Sequence, residues 1–501
     1  MSDELPEGWA RARIADVTER VANTNPHDHP DKVFGYVDIS SIDNSSFTIA
    51  GIKTIRGKQA PSRARRPVRA GDTLFSNVRT NLRNVALVSE GSAAEVCSTG
   101  FTVLRPNAAV DSRYLFRYVL TEDFTTRLTP QQTGTHYPAT SDRVVMAEAM
   151  PLAPIREQRR IVAKLEEVLG KVDACQKRLA RIPVLLKRFR QSVLAAACSG
   201  RLTADWREAH SVTEPASTVL EGYAARNEDL LREPAHETPS DWIWVAFGAL
   251  VATIRGGSTV PPQNERTEFP ILRSSSVRPG AVDLNDVRFV RARDSQNRDN
   301  FLRDDDVLFT RLSGSLEYLA NCAVVRDLGS RRIQYPDRVF CAKLKIPEMA
   351  SYVELCFGNP ILRAELTEGA KSSAGHQRVS IADIAGQRMP LPPLAEQREI
   401  ARRVKALFVL ADEIEARFSK GQTRVEQLLP CLLAKAFRGD LVPTEAEVAR
   451  RERRSFEPAS VLLDRIRGER AAREGDQASG RKRLSSQRSA AAGRPRKVAR
   501  A

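Results

Sequence analysis

Residues 150–203, MPLAPIREQRRIVAKLEEVLGKVDACQKRLARIPVLLKRFRQSVLAAACSGRLT, and residues 389–442, MPLPPLAEQREIARRVKALFVLADEIEARFSKGQTRVEQLLPCLLAKAFRGDLV, are one stretch written twice. The two align without a gap at a constant offset of 239. Met150, Pro151, Leu152, Pro154, Glu157, Gln158, Arg159 and Ile161 meet Met389, Pro390, Leu391, Pro393, Glu396, Gln397, Arg398 and Ile400. Asp173, Leu194, Gly200 and Leu202 then meet Asp412, Leu433, Gly439 and Leu441. An ungapped match of this length is an internal duplication, and the rest of the chain is arranged around it.

Both copies carry the marks of a helix. Prolines stand at the entry, where a missing N–H costs nothing, and a glycine stands just past the end. In the first copy Ile161, Leu165, Val168, Val172, Cys175 and Leu179 alternate by fours and threes, and in the second Ile400, Val404, Leu407, Ala411, Ile414 and Phe418 do the same. That alternation is a narrow apolar seam, with Lys, Arg and Glu over much of the remaining surface. Pro183 in one copy and Gly421 in the other predict a kink or short turn, followed by a second apolar segment. Each uninterrupted helix of about 28 residues would be roughly 42 Å long. One reading places them as ordinary core helices in two separate domains. The preferred reading pairs the seams with each other as an antiparallel strut, burying on the order of 20 kcal/mol of apolar side chain as an upper bound.

Outward from the two copies lie two globular stretches built to one plan. Residues 5–149 open on Leu5-Pro6-Glu7-Gly8-Trp9 and hold short β-rich runs at Phe34–Ile39, Asp72–Phe75, Val85–Val88 and Phe101–Leu104. A helical run at Tyr114–Leu128 precedes the polar loop Gln131–Tyr137. Residues 239–388 repeat this: Pro239-Ser-Asp-Trp242 matches Pro6-Glu-Gly-Trp9, Asp306-Val-Leu-Phe309 matches Asp72-Thr-Leu-Phe75, and Val339–Leu344 matches Gly100–Arg105 at offset 239. Glu214–Ser217 and Glu457–Ser460 extend the duplication past the helices. The resulting division is 1–149, first globular unit; 150–207, central helical region; 208–238, linker with a short helix; 239–388, second globular unit; 389–442, distal helical region; 443–477, C-terminal helical segment; and 478–501, basic tail.

A chain of 501 residues exceeds one core and implies several domains. No apolar run is long enough for a membrane span, and the start MSDELPEGW is no secretory signal. Seven scattered cysteines without a C-x-x-C pair argue against a disulfide framework or zinc site and for a reducing cytoplasm. Of the net charge of +16, half sits in residues 478–501, which carry eight Lys and Arg and no acid. Such a tail reads as a flexible arm adding sequence-independent attraction to a polyanion.

No catalytic signature is complete. Gly51-x5-Gly57-Lys58-Gln59 has one residue too many for a phosphate loop and lacks its Ser or Thr. His27-Asp-His29 sits in a proline-flanked turn with no third ligand at helical spacing, so no metal is assigned. Pro336-Asp337 lacks a nuclease's downstream acid-x-Lys, and the tetrad and glycine motif of an amino-methyltransferase do not occur. The chain reads as a binder. Candidate DNA-binding residues lie in polar loops of both units: Arg63, Arg65, Arg66, Arg79, Asn81, Arg83, Gln131, Gln132, Thr133, His136 and Tyr137, then Arg255, Ser258, Arg291, Arg311, Ser313, Ser315, His376, Gln377 and Arg378. Arg, Asn, Gln, Ser and His are side chains that grip phosphates and read base edges.

A variable domain, a helix opening on PL-x-P-x-x-EQ and closing on small residues before G-x-L, and then both again: this arrangement resembles the specificity subunit of type I restriction–modification systems. The carrying motifs are Pro151–Gln158, Leu194–Leu202 with Asp205-Trp206-Arg207, Pro390–Gln397 and Leu433–Leu441. The resemblance covers the chain to about residue 475 and leaves the basic tail unmatched. It implies an α+β protein: two mixed α/β target-recognition domains separated by two long helices that pair as an antiparallel coiled coil, with an internal pseudo-twofold repeat. It implies that each domain reads one half of a bipartite double-stranded DNA site. The chain itself would be no enzyme and hold no cofactor. Two methyltransferase subunits and the restriction (translocase–nuclease) subunits would be its partners, carrying S-adenosylmethionine, ATP and Mg. Duplication with divergent loops suits this, since it keeps a twofold frame while reading two unrelated half-sites. The competing class is a helical scaffold or partner-docking protein without DNA contact, which a salt-dependent DNA shift assay separates.

Overall fold

The computed structural model describes residues 4–133, 138–210, 215–220, 232–291, 300–313, 318–368, 371–373 and 376–473. The tail at 478–501 and the candidates His136, Tyr137 and Ser315 lie outside these residues. The chain divides into two compact units, and the division cuts across the sequence boundaries: Met1–Arg178 joins Gly421–Ala501, while Leu179–Lys420 forms the second unit.

In the first unit, Ala10–Arg13 pairs antiparallel with Ala149–Leu152, tying the two ends of the globular stretch together. One four-stranded sheet runs Lys53–Arg56, Val33–Val37, Val96–Ser98, Ala64–Pro67, and another runs Thr18–Glu19, Phe101–Pro106, Thr73–Ser76, Val85–Leu87. The strands Thr73–Ser76 and Phe101–Leu104 are buried at every position, so both faces of this sheet are covered. The helical run expected at Tyr114–Leu128 is two helices, Ser112–Val119 and Glu122–Leu128. Thr121 divides them, because its hydroxyl accepts the Phe124 N–H and caps the second.

The second unit repeats the plan. Ile243–Ala246 pairs with Arg388–Leu391, and a sheet runs Val251–Gly256, Val339–Leu344, Val307–Thr310, Cys322–Val324. It adds the hairpin Phe269–Leu272 with Val287–Val290, and a small sheet of Leu312–Ser313, His376–Arg378 and Lys371–Ser373. One sequence correspondence needs correcting. Phe101 stands opposite Ser76 and Val339 opposite Thr310, so Val339–Leu344 is equivalent to Phe101–Pro106 at offset 238, one less than the sequence match. That match rested on aligning Phe101 with Phe340, whereas register is set by backbone pairing, and one residue of slip exchanges the faces of a strand.

The first copy of the duplicated stretch is helical over Ile155–Leu179 and Ile182–Cys198, with Pro183 in the first turn after the break. The second is one helix, Leu394–Arg438. The interruption expected at Gly421 does not occur. Glycine keeps its N–H and costs about 1 kcal/mol in a helix interior, whereas proline loses the hydrogen bond and clashes with the preceding turn. Pro430 is nevertheless carried inside this helix.

Each unit contains the start of one copy beside the end of the other. In the first, Ile161 and Leu165 are buried with Trp9, Phe75 and Tyr114, and with Leu433 and Phe437. Phe437 meets Tyr114 and Tyr118 edge to face at 5.0 and 5.2 Å. In the second, Val193, Ala197, Ile400 and Val404 share a core with Trp242, Phe309, Tyr352 and Phe357. There Arg190 reaches Asp412 at 2.7 Å and Glu415 at 2.8 Å. Within each unit the two helical segments therefore run antiparallel. The seam is not buried evenly along its length. Ile161, Leu165, Ile400 and Val404 are buried, Val168, Val172, Leu179, Leu407 and Phe418 are half-buried, and Ile414 is 40% exposed. What buries the first pair of each copy is the globular core together with the partner helix.

Candidate nucleic-acid interface

The motifs shared by both repeats build a frame. In the first unit Trp9 donates its indole N–H to Glu157 at 2.9 Å, and the other carboxylate oxygen accepts the Glu445 N–H at 2.7 Å. In the second, Trp242 donates to Glu396 at 2.8 Å, and Thr203 donates to that carboxylate at 2.6 Å. Arg207 also bonds Glu396. Gly439 and Gly200, both at positive φ, close the same corners: a Cβ on either would run into Pro6 or Pro239. Tyr114 and Tyr352 donate to the carbonyls of Pro151 and Pro390 at 3.0 and 2.8 Å. Burial pushes the Glu157 carboxyl up, against the hydrogen bonds from the Glu445 N–H and Trp9. Burial would also raise Glu445, yet Arg160 and Arg454 outweigh it and hold that carboxyl below its usual range. These residues are structural. The Trp–Glu bonds could not be read from sequence, since 148 and 154 positions separate the partners.

On this frame two loops meet at the same place in each unit. In the first, Asn77 takes a 2.8 Å bond from its N–H to the Gly100 carbonyl, and its own carbonyl accepts the Thr140 N–H at 2.8 Å. In the second, the Arg311 N–H reaches the Arg338 carbonyl at 2.9 Å, and the Arg311 carbonyl accepts the Val379 N–H at 3.2 Å. The following residues bridge likewise, Val78 with Ala139 and Leu312 with Arg378. The structure thus joins Arg79–Arg83 to Gln131–Thr133, and Arg311–Ser313 to His376–Arg378.

The first unit's candidates divide by role. Arg79 and Arg83 have φ of 48° and 50°, left-handed backbone that a non-glycine residue adopts at a cost. Between them the turn Thr80–Leu82 exposes Asn81 and Leu82 while burying Thr80. Gln132 bonds the Thr80 hydroxyl, and Thr133 bridges Ala139. Arg83 lies 3.4 Å from Glu122, and Gln131 is held by Arg127 and Glu148. Arg63 is exposed, and Arg65 bonds the Ser62 carbonyl at 3.0 Å. Arg66 is committed to Asp142 at 2.5 Å, and Asp142 also accepts from Asn77 at 3.0 Å and Thr102 at 2.7 Å. Sequence reading did not find Asn77, Thr102 and Asp142; only the shared backbone bonds reveal their position.

In the second unit Arg311 lies over the Phe340 ring, 5.5 Å from its centre. Phe340 occupies the position equivalent to Thr102. Ser313 pairs with Gln377, Arg378 is exposed, and the His376 backbone continues that strand. Ser258 is buried and its hydroxyl accepts the Val260 N–H at 3.3 Å. Arg255 is half-buried in a strand opposite Cys341. Arg291 is exposed just past the end of the added hairpin, 3.2 Å from Gln263. Among the described residues no cluster of His, Cys, Asp and Glu could hold a metal, and no helix is long and apolar enough to cross a membrane. The cysteines are unpaired as disulfides, and burial pushes the Cys97 thiol up to about 12, away from nucleophilic use.

No family model matches the chain. It is 34% identical over 385 residues to the type I restriction enzyme EcoKI specificity subunit of Escherichia coli, covering 76% of each protein. To the EcoBI specificity subunit, also of Escherichia coli, it is 30% identical over 352 residues, covering 68% of this chain and 69% of that one. Among solved structures, the HsdS subunit of Thermoanaerobacter tengcongensis superposes with a TM-score of 0.57 at 25% identity, covering 88% of this chain and 99% of the other.

Proposed function

Because the chain belongs to the type I restriction enzyme specificity subunits, we propose that it is the DNA-recognition subunit of such a complex, each unit reading one half of a bipartite, asymmetric site. The observation that carries this is the pair of joined loops, built by the same backbone bonds in both units but carrying different side chains. A frame held constant under loops that differ is what reading two unrelated half-sites requires. The exposed Arg, Asn and Gln side chains of these loops suit phosphates and base edges.

On this reading the chain catalyses nothing. Two methyltransferase subunits dock on its helices, which set the gap between half-sites, and the restriction subunits join them. S-adenosylmethionine, ATP and Mg are held by those partners, in the cytoplasm. The test is to co-express the chain with its methyltransferase subunit and map modified bases across the host genome. A single bipartite motif with a fixed gap is expected. Methylation unchanged by omitting the chain, or DNA binding by the assembled complex that ignores sequence, would sink the reading.

A further inference from the structure

The same three backbone positions that join the loops carry opposite chemistry in the two units. Where the second unit has Arg311, Arg338 and Arg378, the first has Asn77, Gly100 and Ala139. The equivalence rests on shared hydrogen bonds and bridges rather than on alignment. Arg338 and Arg378 are exposed, and Arg311 is half-buried against Phe340. Among the described residues, Asp337 lies beside Arg338 in sequence, and Asp383 caps the next helix through the Ser380 N–H. Among the described residues neither is ion-paired to the three arginines. In the first unit the corresponding place is closed on itself. Asn77, Thr102 and Arg66 all converge on Asp142, whose counterpart in the second unit is Ile381.

We infer that this edge of the second unit is a phosphate clamp, so that the two units share the DNA backbone unequally and the second supplies more of the sequence-independent affinity. The inference rests on the DNA-recognition reading and adds which unit holds the backbone. Three cationic side chains brought together by these backbone bonds, none of them ion-paired to Asp337 or Asp383, meet a polyanion favourably by releasing its condensed counterions. The cation–π contact holds Arg311 in place before binding, which lowers the entropy cost of the contact.

The experiment compares the full-length chain with a triple variant, Arg311→Gln, Arg338→Gln and Arg378→Gln, and with the corresponding triple Arg→Lys variant. Affinity for a target duplex and for an unrelated duplex is measured across a salt series, with thermal melting to verify folding. The Gln variant should bind both duplexes more weakly by the same factor. The slope of log affinity against log salt should become shallower by about one per arginine that touches a phosphate. The Lys variant, which keeps the charge, should retain most of the slope and the target preference. An unchanged slope in a well-folded Gln variant overturns the clamp while leaving DNA recognition intact. Loss of target preference in the Lys variant also overturns it, since these arginines would then be reading bases. A parent chain whose affinity for DNA does not respond to salt overturns the recognition reading with it.

Discussion

The indole of Trp9 and the carboxylate of Glu157, 148 positions apart in the chain, are joined by a buried 2.9 Å hydrogen bond. Trp242 and Glu396 repeat it at 2.8 Å across 154 positions. Each bond locks the opening of a globular stretch onto the first turn of the helix that follows it.

Glu157 must accept from both Trp9 and the Glu445 N–H, so Glu157→Gln leaves one buried donor without an oxygen. The expected cost is about 1–3 kcal/mol in denaturant titration. Trp9→Phe should cost a similar amount by stranding the carboxylate. The double variant should cost less than the sum, because the two residues share one bond. Additive losses would mean that the bond contributes nothing.

Glu445 supplies a pH dependence whose sign is fixed. Arg160 and Arg454 hold its carboxyl below the range of an unfolded chain. A depressed folded value stabilises the protein above the unfolded pKa, about 4.3 for glutamate, and is lost as pH falls through the folded value. Glu445→Gln should therefore be less stable than the parent at neutral pH by about 1–3 kcal/mol. The gap should narrow on acidification below about pH 4. A gap that widens in acid would contradict the pairing.

At Gly200 and Gly439 the backbone is left-handed, with φ of 75° and 86°. Alanine there meets both backbone strain and a proline ring, so Gly200→Ala and Gly439→Ala should each cost roughly 1–3 kcal/mol. Pro239→Ala should restore part of the Gly200→Ala loss by removing the contact, but not the part due to φ. Complete restoration would assign the whole cost to the contact.

Exchange of residues 5–149 or 239–388 for those of a relative should change one half-site and spare the other. A chimera of the first unit has to keep tyrosines at 114 and 118, because Phe437 packs on both from the far end of the chain. Methylated-base maps of cells carrying each chimera give the answer. Altered recognition in both halves at once would contradict independent reading.

Much of this was legible in the sequence because duplication turns one chain into its own alignment. The motifs PL-x-P-x-x-EQ, Pro-x-x-Trp and Asp-x-Leu-Phe marked equivalent elements, and the strands Val33–Val37, Thr73–Ser76, Val85–Leu87 and Phe101–Pro106 stand close to where the β-rich runs placed them. The seam showed that Leu165 and Val404 are buried, but a periodic stripe does not name its partner, and here the partner includes a globular core. Gly421 looked like a break because sequence weighs glycine and proline alike as punctuation, although only proline removes a backbone donor. The joined loops escaped because their contacts run between backbone groups that every residue possesses. Arg66 was read as a candidate DNA contact, and the structure pairs its guanidinium with Asp142, a pairing that only the fold creates.

The division of each core between distant segments has a consequence for synthesis. The second unit is complete once residue 420 has emerged, whereas the first, begun at the N-terminus, still lacks Leu433 and Phe437. Roughly 240 residues separate the two parts of that first core, and at about 5–20 residues per second the ribosome needs on the order of 12–50 s to span them. Through that interval Ile161, Leu165 and the rings of Tyr114 and Tyr118 have no native cover from Leu433 and Phe437. The unit made first is thus the last to close, and a nascent chain arrested midway would present an apolar surface to chaperones and proteases.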